Sequence, residues 1–180
     1  MIEKITTKDY NGNLATQDSL SKVKAVDTIG NDILVSPNIV AAKGGCGLFL
    51  SDVSLAYGKW YRIAIGDIAN SPMAALLMVG NKYYNESSKS QLFYIFANGY
   101  SSMQSVVQLA NVGKPIDKAR ILHKLESEGG GKPILEIHVN TLHTNQFVFS
   151  YSCNMYFTFL KPVEVSETPE SGYSVKEFTF

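Results

Sequence analysis

Three histidines, two cysteines and a scatter of carboxylates are the residues from which this 180-residue chain would have to build catalytic or metal chemistry. His138 and His143 stand five apart on what reads as a strand and the loop after it. They share no helix face and have no cysteine beside them, whereas zinc needs four such ligands converging. With His123 they read as solvated sheet histidines. Ser101, in Gly99-Tyr100-Ser101-Ser102, and Ser174, in Gly172-Tyr173-Ser174-Val175, do not match a nucleophile elbow, and no Cys-His-Asn grouping is legible. Glu126 and Glu128 precede Gly129-Gly130-Gly131, in a loop too loose to hold a general acid within the ~0.5 Å that preorganised catalysis needs. Paired carboxylates on facing strands would leave no such sequence mark. No catalytic, cofactor-binding or metal residue is assigned, and the chain reads as a non-enzyme.

Two loops invite a sharper reading. Asp9, Asn11 and Asn13 alternate like the oxygen donors of a calcium loop, but Gly12 stands fourth where such a loop needs its glycine sixth, and no glutamate stands twelfth. Asp9, Gly12 and Asn13 recur as Asp27, Gly30 and Asn31, so two related hairpin turns are the simpler account. Gly44-Gly45-Cys46-Gly47 lacks the Lys-Ser/Thr and the helix of a phosphate loop and reads as a hinge. Cys46 and Cys153 are too few for a disulfide scaffold; the spacing allows a bridge and does not require one. Ten Tyr, nine Phe and one Trp remain. Most fall within strands, among them Phe93, Phe96, Phe147, Phe149 and Phe157, and read as core. Tyr57, Tyr83, Tyr84 and Tyr100 fall at expected loops, where an amphipathic ring either caps the module or offers contact area to a ligand. These four are the candidate ligand-binding residues.

Sixteen basic and sixteen acidic residues cancel, which leaves no net field to steer a polyanion and argues against nucleic acid. Met1-Ile2-Glu3-Lys4 lacks the charged and apolar regions of a secretory signal, and no apolar run approaches the ~20 residues of a membrane helix. Membrane insertion is not expected.

The elements needed to position these residues fall into two unlike parts. Residues 1–45 are polar and turn-rich and read as an extended attachment and oligomerisation arm, with at most a helical turn over Asp18–Ala25; residues 46–180 read as a compact module. Trp60–Ile65 is β-branched and aromatic. Met73–Val79 is continuously apolar, as for a central strand covered on both faces. Leu135, Ile137 and Val139 alternate with Glu136, His138 and Asn140, the pattern of one buried and one wet face. Phe147, Phe149 and Tyr151 repeat it. Eight or more short strands at about ten-residue spacing predict an all-β fold, a two-sheet antiparallel sandwich of jelly-roll type, with a closed barrel as the runner-up.

Trp60-Tyr61-Arg62-Ile63-Ala64, an apolar strand, an aromatic strand, Ile116-Asp117-Lys118-Ala119-Arg120-Ile121 and Leu135-Glu136-Ile137-His138-Val139 follow one another. This succession resembles the terminal β-sandwich module of phage fibre and receptor-binding proteins, over roughly residues 46–165. The resemblance implies a non-enzymatic virion protein assembled in the host cytoplasm, usually a homotrimer, attached to other virion proteins by its N-terminal segment. Its outward sandwich would face host glycans or surface proteins. The extended shaft and self-cleaving C-terminal chaperone of long tail fibres are not seen, which brings forward a short head fibre, a capsid decoration or a small tail appendage. No binding residue transfers, and Trp60 and Arg62 read as packing and pairing within the sandwich. The alternative is a stand-alone carbohydrate-binding or adhesion module of a bacterial surface protein. A sandwich-fold glycan lyase or hydrolase would need convergent carboxylates or a Tyr-His pair.

Overall fold

The computed structural model describes residues 23–26, 28–35, 46–50, 54–67, 72–81, 89–141, 147–154 and 156–180. The chain divides into two units, Met1–Val40 and Ala41–Phe180. In the first unit β1 (Val23–Val26) and β2 (Asp32–Val35) pair antiparallel, with Val26 opposite Asp32. Gly30, at φ +93°, occupies the turn between them, a conformation that glycine adopts without steric penalty. The second copy of the repeated turn motif is therefore a hairpin. The first copy, at Asp9–Leu14, lies outside the described residues, as does most of the arm expected over residues 1–45. Val23–Ala25, expected at the end of a helical turn, belongs to strand β1.

The second unit is the all-β sandwich that the strand pattern predicts. Its first sheet has the order β3 (Cys46–Leu50), β10 (Phe147–Cys153), β5 (Met73–Asn81), β6 (Lys89–Ala97), β7 (Ser105–Val112). Its second has the order β11 (Phe157–Val165), β4 (Trp60–Gly66), β9 (Ile134–Val139), β8 (Ile116–His123), β12 (Ser174–Thr179). Every pairing in both sheets is antiparallel. The chain changes sheet five times, from β3 to β4, β4 to β5, β7 to β8, β9 to β10 and β10 to β11. Because β4 pairs with β11 and β5 with β10, these four strands are nested in jelly-roll manner. Between them β5, β6 and β7 run as a plain meander, and β8 and β9 as a hairpin. Gly47 belongs to β3, so the expected hinge does not extend past residue 45.

One core joins the two sheets. Met73, Leu77, Phe93, Phe147 and Phe149 from the first meet Ile63, Ile121, Leu135 and Ile137 from the second. Alternation places them there: in β5 every odd residue from Met73 to Asn81 is buried, as the two-residue pleat requires. Aromatic contacts span the gap, with Tyr151 of β10 stacked on Phe159 of β11 at 4.3 Å and Phe93 of β6 tilted against Phe180 at 4.9 Å. Gln91, 1 % exposed, fastens the layers by polar contact. Its side-chain amide donates to the Ile116 carbonyl at 2.9 Å, and its oxygen accepts from the Ile116 N–H at 2.7 Å. A buried amide satisfied in this way fixes the register of one sheet against the other. Among the described residues no helix is long and apolar enough to cross a membrane.

Candidate functional surface

The outer faces of the two sheets carry the chemistry of this module, and they are opposites. On the second sheet, Arg62 (β4), Glu136 (β9) and Arg120 (β8) lie side by side, because Arg62 and Arg120 are both register partners of Glu136. Each carboxylate oxygen of Glu136 takes a different arginine. Oε1 accepts from Arg62 Nε at 3.1 Å and Nη2 at 3.0 Å, and Oε2 from Arg120 Nε at 2.7 Å. The connection between β11 and β12 closes over them. Ser166 and Glu167 offer backbone carbonyls to Arg120 at 2.8 and 2.6 Å, and Glu170 accepts from Arg62 at 2.8 Å. The Arg120 guanidinium also lies 4.2 Å over the Trp60 ring, an attraction between cation and π face. The Arg62 guanidinium is held above its ordinary pKa: its desolvation, which opposes the rise, is outweighed by bonds to Glu170 and Glu136.

Glu136 is 1 % exposed and Arg120 2 %, so the face expected to be wet on β9 is sealed. The physical reason is the strap at residues 166–170, whose carbonyls and carboxylate complete the network. Trp60 and Arg62 pack and pair within the module as expected, but on the outer face of the second sheet beneath the strap, not between the sheets. His138 is also not simply solvated: its Nδ1 lies 2.6 Å from Asp117 Oδ1 and its ring is tilted against Trp60 at 5.2 Å. His123 is buried, with no hydrogen bond to Nδ1. His143 lies outside the described residues. Among the described residues no group of three or more His, Cys, Asp or Glu could hold a metal. A cleft of about 480 Å³ opens beside Gly58, Lys59, Glu164 and Glu167, but Trp60 at its floor is only 5 % exposed and offers no ring face to a sugar.

The outer face of the first sheet carries no charge at any described position. It is built from Val148, Ser150 and Ser152 on β10, Ala74, Leu76, Met78 and Gly80 on β5, then Ser90, Leu92, Tyr94 and Phe96 on β6 and Ser105, Val107, Ala110 and Val112 on β7. Leu76 stands opposite Tyr94 and Met78 opposite Leu92, so the apolar residues form cross-strand pairs. They are nevertheless exposed, Leu76 to 45 %, Met78 to 52 % and Tyr94 to 41 %. A shallow depression of about 270 Å³ runs among Leu76, Met78, Leu92, Ser150, Tyr151 and Ser152. β5 is central in its sheet as expected, but among the described residues only its inner face is covered. Phe96, expected in the core, is half-buried on this outer face instead. A usable signal lay in charge rather than periodicity: no charged residue occurs from Ser90 to Gly113, a span that includes all of β7 and nearly all of β6.

The candidate tyrosines do not form a shared site. Tyr57 is 54 % exposed in the turn before β4, beside Gly58, whose N–H donates to the Val139 carbonyl. Tyr100 follows β6, and its carbonyl accepts from the Glu126 N–H, beyond the end of β8. Since Val139 ends β9 and Glu126 precedes its start, the two rings stand at opposite ends of the sandwich. Tyr100 is half-buried against Gly130, where a Cβ would come within 2.6 Å of the ring. Tyr83 and Tyr84 lie outside the described residues. Cys46 and Cys153 are both free. The Cys153 thiol is pushed up to about 11, by burial first and then by the charges of Cys46 and Asp67, which keeps it protonated and unreactive near neutrality.

No protein-family model and no curated protein matches the chain. Among solved structures it is similar to the tailspike protein of Acinetobacter phage vB_ApiP_P1, at 10 % identity and a TM-score of 0.41. The match covers 87 % of this chain and 28 % of the tailspike chain.

Proposed function

We propose that the chain is a structural component of a phage particle, a short fibre, tail appendage or capsid decoration, that acts without catalysis. In this reading residues 1–45 attach it to other virion proteins and assist its assembly as a homotrimer. The β-sandwich faces outward, where Tyr57 and Tyr100, at its two ends, are available to host glycans or surface proteins. It is made in the host cytoplasm and resides in the virion, with no part for nucleic acid or membrane insertion.

The observation that carries this reading is the bare, uncharged outer face of the first sheet. Antiparallel sheets exposed on one side ordinarily show polar residues there, and a contiguous apolar patch of this kind marks a surface completed by another protein. Such a face supports the reading of the module as a part of an assembly. The succession of residues from Trp60 to Val139 that resembles phage fibre modules supports a phage particle as that assembly. Immunogold labelling and mass spectrometry of purified particles, from cells expressing the gene, test it: the chain should be present in particles, and deletion of Met1–Lys43 should remove it from them while the sandwich still unfolds cooperatively. Particles that lack the intact chain would refute the assignment.

A further inference from the structure

The neutral face of the first sheet ends in an edge strand of the same character. β7 reads Ser105-Val106-Val107-Gln108-Leu109-Ala110-Asn111-Val112 and holds neither charge nor proline, two devices by which edge strands are kept from pairing with other chains. Val107, Leu109 and Val112 are 45 %, 53 % and 59 % exposed. Leu76, Met78, Tyr94, Val107 and Val112, which share this face, together expose roughly 500 Å², against the ~800 Å² that each partner gives to a standard stable interface. Ser90, Ser105, Ser150 and Ser152 fringe it on three sides, which supplies an uncharged polar rim and brings the area near that standard.

Charge selects the occupant. A face that bears charge of one sign repels its own copy, whereas this one meets itself without repulsion and without burying an unpaired ion. Sixteen basic and sixteen acidic residues across the chain add no long-range field that would hold copies apart. We infer that this face, from β10 across to β7, is covered by the same face of other copies of the chain, which meet around a common axis. The inference names the partner of the face on which the proposed function rests.

Sedimentation equilibrium of the full-length chain at micromolar concentrations tests it. The native chain sediments as an oligomer. Met78→Lys and Val107→Lys each weaken association by roughly a hundredfold or more, because every copy then buries a lysine against its counterpart. Both positions point away from the core, so the variants keep cooperative thermal unfolding, and two of them guard against a folding failure in either. Glu177→Ala, on the second sheet, leaves association unchanged. A native chain that is monomeric, or lysine variants that associate like the native chain, overturns the inference. A monomer still found in purified particles overturns self-association and leaves the virion assignment standing, whereas an oligomer absent from particles does the reverse.

Discussion

The two outer faces of this sandwich invert the usual relation between polarity and exposure. On the second sheet a carboxylate and a guanidinium, Glu136 and Arg120, are almost wholly buried, while on the first sheet Leu76 and Met78 stand about half in solvent. The difference arises from what lies above each face. The strap at residues 166–170 brings carbonyls and a carboxylate to the arginines, so ions are buried with their partners in place. No described segment of the module crosses the first sheet, whose apolar side chains are matched in pairs across its strands and left open. Within one fold, then, polarity follows what lies above a face: charge sits where a strand-connecting loop supplies its partners, and apolar side chains where no described segment crosses.

The contrast can be broken most forcefully at Glu136. Glu136→Ala should destabilise the monomer by about 3–5 kcal/mol, because it leaves Arg120 buried without its counter-charge. Urea unfolding measures this, and a loss below ~1 kcal/mol would show that the strap admits water. Neighbours on β5 give the next test. Leu77→Ala, at a fully buried position, should cost about 2–5 kcal/mol, and Leu76→Ala less than ~1 kcal/mol in the monomer. Similar losses at both would mean that the first sheet is covered on both sides. His138→Ala should cost about 1 kcal/mol through its bond to Asp117, and a double-mutant cycle with Asp117→Ala should return most of that as coupling.

The smallest effect is a pH dependence at the first sheet. The folded Cys153 thiol ionises only at about 11, above its ordinary value of 9.0. As pH rises past the unfolded value the unfolded chain loses its proton first, so stability is full below that value and declines toward the folded one. Thermal melts across this range should show a shallow fall in melting temperature that Cys153→Ser reduces, and an unchanged slope would mean that the thiol is solvated.

Period-two alternation located the strands and their parity well: Leu135, Ile137 and Val139 do face the core, as do Phe147 and Phe149. Parity could not say whether the other side of a strand is covered. Glu136 and His138 looked wet because they are polar, and Met73–Val79 looked doubly covered because it is apolar; both readings substitute composition for neighbours. The strap has no periodicity to announce it, and its hold on Arg120 comes mainly from backbone carbonyls, which every sequence possesses. The separation of Tyr57 from Tyr100 was equally hidden, since it follows from the order of strands in the second sheet. What the sequence did contain was the segregation of charge, with Ser90–Gly113 free of it and Arg62, Arg120 and Glu136 placed on strands that become neighbours.

The strap also bears on how the protein meets proteases. Ser166, Glu167 and Thr168 are exposed and join two strands, the situation in which a surface loop is ordinarily cut first. Cleavage requires a segment to lift away and thread extended through the enzyme's cleft. Here lifting would strip Arg120 of two carbonyl acceptors and Arg62 of Glu170, so the opening that a protease needs is coupled to the breaking of a buried ionic network. The connection between β11 and β12 should therefore resist digestion in spite of its exposure.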